Sequence, residues 1–234
     1  MNYLNRYLNG NHEQVWRELL ALGPAVRDEP HLAQAQAVAA ETMQRVRRNC
    51  ERLVPTLQDV GYLFGSYPDG TPRQPTIEPV TLPSATMQVD MAELEAEAGM
   101  LPLSLVAFWQ QVGSVDFVGM HPAWPDGLDP LVVELPEAAL AMLYEQDEGA
   151  QGVEWFAGLA PDDFHKDNVS GGEPYGVYLP DSAADFVFRN ERHKLHFVPY
   201  LRFALLERGS FPGLPETDQQ MVPLQQLTAD LEPF

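Results

Sequence analysis

Between residues 74 and 165 the chain contains neither lysine nor arginine, although the same stretch holds sixteen Asp or Glu residues and three of the four tryptophans. A surface this short of cations repels nucleic acid phosphate and anionic lipid and attracts basic partners. Nucleic acid and bare membrane are therefore not expected partners. Acidity also serves solubility, so charge alone does not assign a function. Cysteine is almost absent: the single Cys50 excludes an internal disulfide framework and fits a reducing compartment. No stretch approaches the roughly 18 apolar residues of a membrane span, and residues 1–7 (MNYLNRY) lack the charged, apolar and small-residue segments of a secretory signal. A cytoplasmic protein is expected. Neither Gly-x-Gly-x-x-Gly nor Gly-x-x-x-x-Gly-Lys occurs, so nothing supports a nucleotide cradle.

The chain has two electrostatic halves. Residues 1–60 carry seven Arg against seven acids, so the formal charge of −20 belongs to residues 61–234. With 45% apolar residues in 234, the chain is long enough to bury a proper core.

Residues 1–62 read as a helical hairpin. Asn11 with Gln14 resembles a capping box opening a helix that ends at Gly23-Pro24, and Pro30 fits the first turn of a longer helix that stops at Gly61. Ala39, Met43, Val46, Cys50, Leu53, Leu57 and Val60 fall on one seam of that second helix, and Pro55 should kink or split it. Arg45, Arg48 and Arg52 form a basic stripe on another face. It is either solvated and paired with local acids, or docked on the acidic half, in cis or across a homodimer.

Five prolines between residues 65 and 89 favour an extended connector over residues 63–89, placing a domain boundary there. Asp90 with Glu93 reads as the next capping box, for a helix ending at Gly99, and Pro102 opens another ending at Gly113. Strands are expected at residues 114–119, 131–135, 153–159, 175–179 and 186–188. Helices are expected at 136–145, with Leu140, Leu143 and Tyr144 inward, and at 197–208. The fold class is α+β, an antiparallel sheet flanked by helices over residues 90–234.

Residues 101–119 (LPLSLVAFWQQVGSVDFVG), then 129–133 (DPLVV), 197–202 (FVPYLR) and 209–213 (GSFPG), together resemble the core pattern of the SUKH superfamily across about residues 90–215. That group includes a fungal cell-wall-synthesis regulator and many bacterial immunity proteins encoded beside polymorphic toxins. The matching residues also have direct physical roles. Leu105, Phe108 and Trp109 share a helical face, Gly113 suits a left-handed helix end, and Val115 and Phe117 alternate onto one side of a strand. The resemblance implies a non-enzymatic module of the immunity type, which neutralises or sequesters a basic partner such as a toxin nuclease domain. The alternative is a regulatory scaffold or small-ligand-binding protein without catalysis.

Asp116, His121, Asp126 and Asp129 cluster around Trp124, but their spacing matches no metal loop, and His193 and His196 lack nearby acids or cysteines to complete a zinc shell. Ser114 and His121 lack a nucleophile elbow, and Cys50 reads as a core residue. Neither cofactor nor metal is expected. The loop from Met120 to Asp129 instead combines Trp124 with a charged rim, a composition that concentrates binding energy, unless Trp124 is buried under its own loop. Asp116, His121, Trp124, Asp126, Asp129 and Glu134 are the expected partner-binding residues.

Overall fold

The helices at the start of the chain are set by local capping and one long apolar seam. The computed structural model describes residues 2–75, 77–145 and 155–234. Helix α1 (Tyr3–Leu8) is an additional helix ahead of the two expected in the hairpin and is capped by Asn2, whose side chain accepts from the Asn5 amide at 3.0 Å. Helix α2 (His12–Ala21) begins after Asn11, which makes no side-chain capping bond. A 3-10 turn over Gly23–Arg27 leads into α3 (Leu32–Asp59). Along the α3 seam, Ala39, Met43, Val46, Cys50, Leu53 and Leu57 are buried. Pro55 does not split this helix. Its missing N–H costs about 3 kcal/mol, which burial of Leu53 and Leu57 offsets at about 1.5–3 kcal/mol each.

The basic stripe docks in cis on residues 230–233. Glu232 accepts from Arg48 at 2.8 Å and from Arg52 at 2.7 Å, while Arg45 pairs with its local acid Glu41 and also donates to the Pro233 carbonyl at 3.0 Å. Between them the buried Asn49 bonds the Glu232 backbone twice, each at 2.8 Å: its amide donates to the carbonyl and its oxygen accepts from the N–H. Phe234 is buried beside this clamp.

The proline-rich connector over residues 63–89 is instead built into the sheets. Strand β1 (Leu63–Phe64) pairs with β4 (Gly119–Met120), and β2 (Val80–Thr81) pairs with β3 (Ser114–Asp116), which pairs with β5 (Val132–Val133). Among the described residues every strand pairing is antiparallel, and β6 (Trp155–Ala160) with β7 (Tyr175–Leu179) makes a third small sheet. The α+β class holds, as several small sheets rather than one. Helix α3 packs against α5 (Leu103–Gln111), and one hydrophobic cluster runs from Tyr3 to Phe234, so the expected boundary divides no core.

Helix α4 (Ala85–Ala98) starts earlier than the Asp90 capping box predicts, because the Ser84 hydroxyl caps it by accepting from the Met87 amide at 3.2 Å. Its end at Gly99, the opening of α5 at Pro102 and helix α6 (Pro136–Glu145) are as expected. Tyr144 points outward, however, and donates to the Glu93 carboxylate at 2.6 Å. Gly113 has φ +91°, and a Cβ there would lie 2.0 Å from the Thr81 carbonyl, so only glycine lets β2 close on the end of α5. Residues 153 and 154, expected in β6, lie outside the described residues.

Within residues 186–188 the described pairing is one isolated bridge, Val187 with His196, and the adjacent Arg189 bridges Gly176. A short helix α7 (Asp163–Lys166) follows β6, and α8 (Phe197–Arg202) continues as a π-helical turn over Phe203–Glu207. A 3-10 turn, Glu216–Met221, and α9 (Leu224–Thr228) follow. Asp185, fully buried, ties α8 to α5 by accepting from the Val198 amide at 3.0 Å and the Ser104 hydroxyl at 2.7 Å.

Two outcomes are expected. Asn49→Ala, which orphans partly buried backbone groups, should destabilise the protein in urea by about 2 kcal/mol, against less than about 1 kcal/mol for Glu232→Ala; the reverse ranking would mean that charge, not backbone pairing, holds the clamp. Burial raises the Asp185 carboxyl from its usual 3.8 to about 7. The native state therefore holds this proton more tightly than the unfolded chain, and the associated stability is full below about pH 4 and lost as pH rises through 7. Comparing urea midpoints from pH 4 to 8, Asp185→Asn should flatten that decline; an unchanged slope would remove Asp185 as its source.

Candidate functional site

The loop joining β4 to β5 is fixed at its start by His121. The His121 Nε2–H donates to the Val60 carbonyl at 3.0 Å and Nδ1 accepts from the Ala123 amide at 3.1 Å, an arrangement that requires the neutral ring. The ring stacks on Trp124 with centroids 4.5 Å apart, and Trp124 stacks on Tyr62 at 5.6 Å and meets Phe211 edge-on at 5.5 Å. Trp124 is thus held on its own core while remaining half-exposed, and Asp126 next to it is exposed.

Asp167 lies against this loop. Burial pushes its carboxyl up to about 6; the Gly127 backbone amide opposes that shift, and Asp126, Asp129 and Asp163 add to it. Asp163 pairs with Arg192, and Asp69 accepts from Asn168 at 3.4 Å. Asp69, Asp126, Asp163 and Asp167 accordingly form an acidic patch beside Trp124.

Asp129 is not part of the exposed rim. It is fully buried at φ +50°, and its carboxylate meets the equally buried Lys166 ammonium at 2.6 Å and the Tyr175 hydroxyl at 3.2 Å. Lys166 also sits 4.7 Å from the centre of the Tyr175 ring. Two charges removed from water in this way persist only as a pair.

Asp116 is also turned inward, 8% exposed, where one carboxylate oxygen accepts from Arg73 at 2.5 Å and from the Val118 amide at 3.0 Å. Glu134 is close by but has a different environment. Its N–H donates to the Leu159 carbonyl at 2.7 Å and its carbonyl accepts from the Trp109 indole at 2.9 Å, so its backbone is held from both sides. Its half-buried carboxylate bonds no described residue. Burial, then Asp116, raises that carboxyl above its usual range. Asp116 and Glu134 line a cleft of about 380 Å³, walled by Val115, Val133, Leu135, Ala138 and Ala141.

The six expected contact residues therefore separate. His121, Trp124 and Asp126 share the loop, Asp116 and Glu134 share the cleft, and Asp129 is interior. Arg73 and Lys166 were missed, although both flank the cation-free stretch and each returns to an acid within it. Asp167 carries no sequence signal. Among the described residues, no group of three or more His, Cys, Asp or Glu side chains is placed to hold a metal ion. The Cys50 thiol is fully buried and pushed upward by desolvation, opposite to the shift that activates a nucleophile.

Lys166→Met should leave Asp129 charged and alone, destabilising the protein by about 3–5 kcal/mol. The double variant Asp129→Asn with Lys166→Met should recover much of that loss in urea unfolding; additive losses would show that the pair is not coupled. Comparison with protein-family models, curated proteins and solved structures returned no match to this chain.

Proposed function

We propose that the chain is a non-enzymatic protein-binding module of the immunity type, which neutralises or sequesters a basic partner such as a toxin nuclease domain. The observation that carries this reading is the acidic patch of Asp69, Asp126, Asp163 and Asp167 around the half-exposed Trp124. Among the described residues, eight of the fourteen Lys and Arg side chains are already in ion pairs with carboxylates, so few cations remain to offset the surface acids. The carboxyl of Asp167 is raised first by burial and then by the neighbouring acids, and an approaching cation would relieve that second contribution. Charge of this kind speeds encounter, while an aromatic anchor slows dissociation. A second reading, ligand binding without catalysis, is favoured by the cleft at Asp116 and Glu134.

A pull-down from nuclease-treated lysate of the source cell, washed at low and high salt, should retain a basic protein that high salt weakens or removes. On that partner, Asp126→Asn with Asp167→Asn should slow association by about tenfold and flatten its salt dependence. Trp124→Ala should speed dissociation and leave association unchanged. Equal effects on the association rate would overturn this division of roles.

A further inference from the structure

We propose that the cleft between β5 and α6 binds a small organic monocation carried on an apolar stem, with the Glu134 carboxylate as its counter-charge. The proposal rests on the second reading above and names its ligand class.

Size, lining and charge converge on that class. A volume of about 380 Å³ lies in the range of small-molecule sites. Val115, Val133, Leu135, Ala138 and Ala141 offer apolar wall to a stem. The charged groups lining the cleft are Asp116, Glu134 and Glu137, and the described cations nearest in charge to Glu134 are already committed: Arg73 to Asp116 and Lys166 to Asp129. Glu134 thus loses water on its inner side without gaining a partner among the described residues.

An anion entering the cleft would meet the Glu134 and Glu137 carboxylates, with the Asp116 charge already matched by Arg73. A neutral apolar guest would fill the walls but strip more water from Glu134, a cost that nothing returns. A cation on an apolar stem satisfies both features, since its charge replaces the water that its stem displaces. The receptor is also preformed: the bonds to Leu159 and Trp109 hold the Glu134 backbone, so little ordering accompanies binding.

Three probes of matched length separate the classes: hexylammonium, hexanol and hexanoate, titrated calorimetrically into the full chain at low salt near neutral pH. Hexylammonium should bind about tenfold more tightly than hexanol, and hexanoate should not bind. Glu134→Gln keeps the side chain's shape and should bring hexylammonium down to the hexanol level. Ala141→Leu, made at an exposed position of α6, should fill the cleft and weaken both without lowering the melting temperature. Equal binding of cation and alcohol, or a preference for hexanoate, would overturn the cationic class while leaving a ligand cleft. Failure of all three probes to bind would overturn both. Hexylammonium binding that survives Glu134→Gln and Ala141→Leu would place the cation elsewhere on the acidic surface and overturn the assignment.

Discussion

The buried contact between Asp129 and Lys166 is the constraint around which the acidic half is organised. An isolated charge in that position would cost several kcal/mol, so the turn at Asp129 and the helix bearing Lys166 are stable only together. Asp162 reinforces the arrangement by capping α7, accepting from the Phe164 and His165 amides at 2.9 and 3.2 Å. On the other side, the Leu131 amide donates to the Ser210 carbonyl at 2.9 Å, which carries the fixed turn into β5 and the segment after α8. Arg73 does the same at the opposite border, reaching back to Asp116. The chain thus spends its two flanking cations on two interior carboxylates, Asp116 and Asp129.

Legibility follows how local each determinant is. Gly99 and Gly113 end their helices because the backbone there takes positive φ, a property of the residue itself. Helix α6 and strand β7 were readable for the same reason, being bounded by proline and glycine and patterned internally. The connector was misread because β1 finds its partner β4 more than fifty residues later, and no neighbouring residue announces such pairing. Residues 186–188 have the composition of a strand, yet Asp185 commits this segment to capping α8 instead.

The candidate site shows the same division. Which acids are exposed cannot be read from type or spacing: Asp126 and Asp129 are three residues apart, one in water and the other without any exposure. The turn between them decides: it takes positive φ at Gly127 and again at Asp129, and only the glycine announces that conformation by its type. The Trp124 cluster was partly legible, since an aromatic within a polar loop stands out. Its partners Tyr62 and Phe211 come from segments far apart in the chain.

The clamp on α3 has a consequence for biosynthesis. Arg48 and Glu232 are 184 residues apart, so the helix emerges from the ribosome long before the residues that cover Asn49 exist. During that interval the Asn49 amide has only water or a transient partner. The N-terminal helices therefore begin their life as an open surface, closed only when residues 230–234 arrive. For a protein that folds as it is made, the order of synthesis keeps this face open until residues 230–234 are in place.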